Sequence, residues 1–64
     1  MQKKEFFIGV DVSKLTLDVA VHGTKNHLRI ANSSEGFKQL LAWLKSLNIE
    51  LRDCWFVLEY TRWL

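Results

Sequence analysis

Two apolar runs that each end in an acid constrain this chain more than any other feature. The first run covers residues 6–10 and leads into Asp11, and the second covers residues 54–58 and leads into Glu59. Short apolar runs rich in aromatic and β-branched residues predict buried β-strands. A carboxylate at the end of such a strand is a common way to hold a divalent metal ion in folds that act on phosphate groups. The pattern therefore predicts two strands that each deliver one candidate metal ligand.

The length of 64 residues allows one small domain, residues 1–64, because a short chain buries a low fraction of its surface. Its 48% hydrophobic content, with three Trp and four Phe, predicts a packed core and argues against disorder. The net charge of +2 is too small to indicate nucleic-acid binding without a basic cluster. Lys3 and Lys4 form the one adjacent basic pair in the sequence, and we interpret them as a solvated N-terminus.

The sequence also predicts the compartment. No stretch approaches the length of about 18 apolar residues that a membrane span needs, and no long apolar run follows the N-terminus. A lone cysteine, Cys54, excludes an internal disulfide and fits a reducing compartment. Because it lies inside an apolar run, we interpret Cys54 as a small buried hydrophobe. We expect a cytoplasmic protein with no membrane association.

Apolar runs, the alternation of apolar and polar residues, and the turn residues between them predict a three-strand antiparallel meander in the first half of the chain. Residues 5–12 are almost wholly apolar, which predicts a central strand covered on both faces. Residues 15–22 alternate between apolar and polar positions, as in a strand with one more polar face. The short link at residues 12–14 and the turn residues at 23–26 make two hairpins, so that residues 27–31 form the third strand.

A helix is predicted next. Residues 32–35 (NSSE) supply oxygens that accept the unpaired N–H groups of a first turn, and Glu35 favours the positive end of the helix dipole. Asn48 is the expected C-terminal cap, and Trp43 is expected at the flank of the packed face. An apolar stripe at helical spacing is expected to pack on the sheet; it consists of Phe37, Leu40, Leu41, Leu44 and Leu47.

The last predicted strand, residues 53–59, follows a helical crossover and is therefore expected to run parallel to a strand of the same sheet. If it pairs beside the first strand, Glu59 lies next to Asp11. The predicted fold class is α/β (α+β), with the element order βββαβ and the fourth strand parallel to the first. This topology is what turns two separate acids into one candidate site.

Asp11 and Glu59 are the candidate catalytic and metal-ligating residues. Mg²⁺ and Mn²⁺ prefer carboxylate oxygens, and phosphodiester enzymes commonly use two such ions. Two ions need more than two carboxylates, so we expect weak metal binding by this chain alone. The alternatives are a turn residue whose oxygen accepts backbone N–H bonds near Ser13, for Asp11, and a solvated strand end, for Glu59.

The remaining polar candidates are interpreted as surface residues. Asp18 could lean toward the site of the two acids, but as the polar member of an alternating strand it is interpreted as exposed. Lys14 is interpreted as an exposed turn lysine rather than a phosphate contact. His22 and His27 flank the second hairpin and are expected to lie far from the two acids. Trp55 is expected in the core or at its edge.

Several segments form a set with a recognisable spacing: residues 7–14 (FIGVDVSK), 17–19 (LDV), Asn32 with 35–37 (EGF), and 58–61 (LEYT). The set resembles the N-terminal part of the IS110-type transposases, also called DEDD transposases, over nearly the whole chain. The first segment is the most specific, because its strand, Asp, short turn and following Leu-Asp strand occur together at the spacing of that family.

The resemblance implies a truncated RuvC-like, RNase H-like fold in which four acids bind divalent metal, Mg²⁺ or Mn²⁺, for DNA strand cleavage or transfer. By position, Asp11 matches the first acid and Glu59 the second. The third and fourth acids, a C-terminal domain with a nucleophilic serine, and the guide RNA of some members would lie outside this chain. The implied function is a fragment of a transposase or site-specific recombinase of an insertion sequence, with DNA as its partner and no activity alone.

The match to the family has one departure. The family continues its second acid as Glu-x-Thr-Gly, whereas Thr61 is followed here by Arg62, Trp63 and Leu64. Glycine at that position would allow a close backbone approach or a positive φ, which arginine does not adopt cheaply. The departure puts the activity of this copy in question.

Two other function classes fit part of the sequence. The strand-Asp-turn-strand opening also resembles the phosphate-binding hairpin of actin-like ATPases and sugar kinases, but their usual Asp-x-Gly-Thr motif has Ser13 in place of glycine. The other class is a non-catalytic module that associates with itself through an open sheet edge. On that interpretation we expect a homodimer or a larger assembly.

Overall fold

The computed structural model describes residues 5–60 of the chain, and within them it contains one mixed four-stranded sheet and one α-helix. The spatial order is β3-β2-β1-β4, with β1 antiparallel to β2 and parallel to β4. The predicted α+β class, the meander and the parallel fourth strand are confirmed. The elements are β1 (Phe6–Val12), β2 (Thr16–Val21), β3 (His27–Ala31), α1 (Ser34–Ser46), a short 3₁₀ helix (Leu51–Asp53) and β4 (Cys54–Tyr60).

Strand β1 is central, as predicted, but only one of its faces is covered. Ile8, Val10 and Val12 are buried on the face that carries α1, which we call the helix face. Gly9 and Asp11 alternate with them and are exposed on the opposite face, the open face. Within residues 5–60 no element packs on the open face, so the prediction that β1 is covered on both faces is wrong.

The first hairpin is closed by a serine-threonine contact. The backbone N–H of Ser13 donates to the Thr16 carbonyl over 2.9 Å, and its hydroxyl donates to the same carbonyl over 2.9 Å. This turn delays the start of β2 to Thr16, so Leu15 is not the first residue of the strand but a turn residue that is 76% exposed. Lys14 is exposed in the same turn, as expected.

The second hairpin turns one residue earlier than predicted. Strand β2 ends at Val21 rather than at His22, because Gly23 adopts a φ of 80° and Thr24 donates its backbone N–H to the Val21 carbonyl over 3.2 Å. A positive φ of this kind is readily accessible to glycine. The third strand has the predicted bounds, His27–Ala31.

Helix α1 begins at a cap residue that the sequence identifies, and its C-cap lies one residue before the predicted Asn48. The Ser33 hydroxyl accepts the Gly36 N–H over 3.2 Å at the N-terminus. Leu47 is the C-cap, and Asn48 follows it with a φ of 61°. Asn48 N–H donates to Lys45, and Ile49 N–H donates to Leu44, each over 3.0 Å, which is the hydrogen-bond pattern of a Schellman motif. Asn48 therefore ends the helix from one position beyond the cap.

The core lies between the helix face of the sheet and α1. Helix α1 packs mainly over β3, so the sheet is covered on its β3 side and left uncovered toward β4. Phe37, predicted to lie in the packed stripe, is 54% exposed because it faces this uncovered side, whereas Trp43 packs partly buried against the core as expected. The buried core residues are Ile8, Val10, Val12, Val19, Val21, Ile30, Leu40, Leu44 and Ile49.

Strand β4 is the exposed element of the fold. Trp55 is 59% exposed, so its predicted place in the core or at the core edge is wrong. Cys54 is half-buried, its thiol donates to the Glu50 carbonyl over 3.3 Å, and burial, with the nearby Asp53 charge, raises its pKa. The apolar sequence of β4 predicts a buried strand, but within residues 5–60 most of β4 is exposed.

Candidate functional site

A row of four charged side chains crosses the open face of the sheet. Asp11 on β1 is the cross-strand partner of Glu59 on β4 and of Asp18 on β2. Asp18 is in turn the partner of Arg29 on β3. Because directly opposed residues of neighbouring strands point to the same face, the four side chains form one row, which we call the charged row. The sequence-based expectation that Glu59 lies next to Asp11 agrees with this register.

The parallel pairing of β1 with β4 is what brings the two acids together. Both Asp11 and Glu59 are exposed, and they lie near the C-terminal ends of their strands. Neighbouring strands are about 4.8 Å apart, a spacing that allows one cation to contact carboxylates from both. The arrangement therefore offers two oxygen ligands of the kind that Mg²⁺ and Mn²⁺ prefer.

Asp18 extends the row but is held by a cation. The guanidinium of Arg29 donates from Nε to Asp18 Oδ1 over 2.7 Å and from Nη2 to Oδ2 over 3.3 Å. This hydrogen bonding lowers the pKa of Asp18, against the opposing effect of desolvation, and the Asp18 carboxylate raises the pKa of Arg29. The sequence analysis placed Asp18 on the surface, whereas its side chain is 27% exposed and its charge is matched.

His27 lies beside Asp18, the acid of β2. Its Nε2 atom is 3.9 Å from Asp18 Oδ1. The charge of His27, when the ring is protonated, would add to that of Arg29 beside Asp18. The missed signal is the register of the second hairpin, which sets Ala20 opposite His27 and Asp18 opposite Arg29 on the same face.

The charged row borders a shallow depression with a volume of about 310 Å³. Gly9 and Ala20 contribute small side groups to it, and a methyl group added at Gly9 would come no closer than 4.0 Å to the Ala20 carbonyl oxygen. Because these two residues beside the acids are small, space for a ligand remains above the open face of the sheet. The lining residues are Gly9, Val10, Asp11, Asp18, Ala20, His27, Val57 and Glu59.

Among residues 5–60 no group of three or more His, Cys, Asp or Glu side chains has an arrangement that could hold a metal ion. At the charged row, Arg29 engages both carboxylate oxygens of Asp18. Asp11 and Glu59 remain as an adjacent pair. Mg²⁺ is often bound through one or two carboxylates, with water and phosphate oxygens completing its shell, so the pair fits such an ion as a partial site.

The first hairpin differs from a phosphate-binding loop. Such a loop presents backbone N–H groups to phosphate oxygens. Here the Ser13 N–H donates to the Thr16 carbonyl, and the Ser13 hydroxyl accepts the Thr16 N–H over 3.1 Å. The N–H groups of Ser13 and Thr16 therefore form hydrogen bonds within the turn instead of facing a phosphate. The Lys3–Lys4 pair and the departure at residues 61–64 lie outside the described residues.

A second concavity lies on the helix face, where α1 leaves β4 uncovered. It has a volume of about 510 Å³, and we call it the α1–β4 groove. Phe37 and Leu41 line it from the helix, and Phe56, Leu58 and Tyr60 line it from β4. The sequence analysis did not identify it, because an apolar stripe and an apolar strand predict burial and not a gap between them.

Comparison with protein-family models, with curated proteins and with solved structures finds no match to this chain. Within the part of the chain that the structure describes, no helix combines the length and apolar character needed to cross a membrane. The geometry of the charged row and the resemblance noted in the sequence are therefore the grounds for a functional proposal.

Proposed function

We propose that this chain is the first part of an RNase H-like, RuvC-like catalytic domain of an IS110-type (DEDD) transposase. In this proposal Asp11 and Glu59 are the first two acids of a divalent-metal site for DNA strand cleavage or transfer. The observation that carries the proposal is the direct pairing of Asp11 with Glu59 across the parallel β1 and β4 strands. The strand order β3-β2-β1-β4, with a helical crossover into β4, supports it.

The proposed chemistry assigns one role to both acids. Asp11 and Glu59 would hold Mg²⁺ or Mn²⁺ from two adjacent strands, and the ion would supply Lewis-acid stabilisation of phosphodiester oxygens. The β-sheet fixes the spacing of the two carboxylates, because each lies within a hydrogen-bonded strand rather than on a loop. Further acids, DNA contacts and the guide RNA of some members are expected from other parts of a full-length cytoplasmic protein.

Arg29 lowers the net negative charge of this site. By neutralising Asp18, it reduces the repulsion among the three adjacent acids of the row. It also engages both Asp18 oxygens, so Asp18 does not offer them to a cation. We therefore expect weak metal binding and no DNA cleavage by the 64-residue chain alone.

A metal titration followed by amide NMR tests the proposal. We expect Mn²⁺ at millimolar concentration to broaden amide signals around Asp11 and Glu59, and Mg²⁺ to shift the same signals. Asp11→Asn should abolish the effect, because it removes one of two anionic ligands while keeping the side-chain shape. Glu35→Gln is the matched control, since it removes an exposed acid in the first turn of α1, away from the row.

Two results would contradict the metal site. One is the absence of any local change with Mn²⁺. The other is broadening that is the same in the wild type and in Asp11→Asn, which would indicate nonspecific surface binding.

A second candidate function, a non-catalytic module that associates with itself, is favoured by the exposure of β4. Trp55, Val57 and Tyr60 are each more than half exposed on this strand. This function does not exclude the first. A metal-binding domain and a self-associating domain use different atoms of β4, because carboxylate oxygens bind metal and edge backbone groups pair strands.

A further inference from the structure

Strand β4 forms one edge of the sheet and carries exposed apolar side chains on both faces. Among residues 5–60 its neighbour on one side is β1, and no strand lies on the other side. An edge strand presents a row of backbone N–H and C=O groups that can pair with another strand. Five large apolar side chains on β4 are exposed by 41% to 68%: Trp55, Phe56, Val57, Leu58 and Tyr60.

The two edges of the sheet differ in how they are protected. The β3 edge is five residues long and carries the exposed side chains of His27 and Arg29. Short length and charge are the usual devices that prevent an edge from pairing with another sheet. The β4 edge has seven residues, a single charge at Glu59 and no proline. Its composition is that of a strand with neighbours on both sides.

We propose that two copies of this chain pair β4 against β4 in antiparallel orientation, forming a continuous eight-stranded sheet centred on Val57. Val57 is the midpoint of β4, so this register uses all seven residues of each strand. A two-fold axis through the Val57 pair makes the interface isologous. The occupant of the β4 edge is therefore a second β4, which has the same alternation of apolar side chains on two faces.

The charges fit this register. Residues 55 and 59 are opposed in it, so that Glu59 lies opposite the partner's Trp55 and not opposite another acid. The two Glu59 side chains are four residues apart along the ladder, or about 13 Å at the usual rise per residue. No like charges are directly opposed, which is the arrangement that destabilises sheet pairs.

The apolar surfaces fit as well. Phe56 lies opposite the partner's Leu58 on the helix face. Because the axis is normal to the sheet, both α1 helices lie on the same side, and the two α1–β4 grooves join into one apolar channel. Phe56 and Leu58 line each groove. In the dimer their side chains would be covered both by the partner's β4 and by the joined groove.

The area available is small. A buried aromatic side chain contributes about 150–250 Å², so the five half-exposed side chains of β4 expose on the order of 500 Å² per copy. A partner strand covers only the part of this area that faces the edge, so two copies bury less than about 1,000 Å², which is typical of weak interfaces. We therefore expect a reversible, concentration-dependent dimer rather than an obligate one.

This inference stands independently of the proposed metal site. It rests on the edge and the side chains of β4, and it requires no ligand at Asp11. A failure of the metal titration would leave it intact. Conversely, a chain that stays monomeric could still bind metal at the charged row.

A disulfide test addresses the register. Directly opposed residues of antiparallel strands have Cα atoms about 4.5–5.5 Å apart, which is within the range for a disulfide. We expect Val57→Cys, made in a Cys54→Ser background, to form a cross-linked dimer rapidly under mild oxidation. Leu15→Cys in the same background is the control, because Leu15 is 76% exposed in the first hairpin turn, outside β4. Equal cross-linking rates for the two variants would overturn the proposed register.

A charge-complementation test addresses the interface itself. Light scattering of the wild type is expected to give twice the 7.5 kDa mass of one chain as its concentration rises. Phe56→Lys with Leu58→Lys should give the single-chain mass, and so should Phe56→Glu with Leu58→Glu, because like charges would be opposed. An equimolar mixture of the two should restore the dimer mass, since opposite charges then face each other. This rescue also shows that both variants are folded.

Leu15→Lys is the control for the light-scattering test, and we expect it to remain dimeric. The proposal fails if the wild type keeps the single-chain mass up to millimolar concentration. It also fails if the charged variants dimerise alone, or if their mixture gives no dimer.

Discussion

Strands β1 and β4 have similar sequences and lie side by side, yet they differ in burial. Each has seven residues, each is mostly apolar, and each places an acid next to its last residue. In β1 every second residue from Ile8 onward is buried, whereas in β4 every residue after Cys54 is exposed. The difference is that β1 has a strand on both sides and the core beneath it. An apolar strand sequence therefore shows what the strand can bury, and its neighbours decide what it does bury.

The two faces of the sheet show a similar contrast at their glycines. Gly36 lies where α1 meets the end of β3, and a methyl group added there would overlap the backbone of Ala31. Gly9 lies on the open face, and a methyl group added there would have ordinary contacts. The contact between α1 and β3 therefore leaves no space for a methyl group at Gly36, whereas the open face has space for one at Gly9.

The first prediction tests that contrast between glycines. Gly36→Ala should lower the free energy of unfolding by about 3 kcal/mol, because relief of the overlap requires a backbone shift between α1 and β3. A domain of this size has a total stability of about 3–10 kcal/mol, so much of the population could unfold. Urea denaturation followed by circular dichroism measures the loss. Gly9→Ala is the control, with an expected change within about 1 kcal/mol. Equal losses would show that α1 does not approach Ala31 closely.

A second prediction tests the difference in burial between β1 and β4. Ile8→Ala should cost about 2–5 kcal/mol of unfolding free energy, because Ile8 is completely buried. Leu58→Ala removes a side chain of the same size that is 49% exposed, and it should cost about 1 kcal/mol in dilute solution. Urea denaturation of both variants gives the comparison. A loss for Leu58→Ala as large as that for Ile8→Ala would mean that β4 is covered in solution.

The smallest expected effect concerns the charged row. Because Arg29 lowers the pKa of Asp18 in the folded chain, this ion pair stabilises the fold above the unfolded-state pKa of the carboxyl. That stabilisation is lost as the pH falls through the lower, folded-state pKa. Arg29→Ala should raise the pKa of Asp18 toward its ordinary value, as measured by an NMR titration of the side-chain carboxyl carbon. Arg52→Ala is the control, since Arg52 pairs with Glu50 over 2.6 Å. An unchanged Asp18 titration in Arg29→Ala would contradict the assigned cause.

Much of the fold could be predicted from local sequence signals. The third strand has its predicted bounds, Ser33 caps the helix, and Asn48 ends it, because turn and cap residues act over a few positions. The first hairpin was less accurate. The side chain of Ser13 bonds to Thr16 and shifts the start of β2, which alternation alone does not reveal.

The candidate site was predictable in part. The crossover rule predicted that β4 runs parallel to a strand of the sheet, and pairing with β1 sets Glu59 beside Asp11. The pairing of Asp18 with Arg29 was missed, because it depends on the register of a hairpin whose turn was placed one residue too late. The α1–β4 groove was missed because the sequence does not fix where the helix lies over the sheet.

The sequence by itself determined the element order, the helix ends and the two acids that close the apolar runs. These features depend on periodicity and on the chemistry of a few adjacent residues. Only the tertiary structure decided that α1 covers β3 and leaves β4 exposed, and that Arg29 neutralises Asp18. Both outcomes depend on the register and position of elements that are distant in the chain, and those are set by packing over the whole sheet.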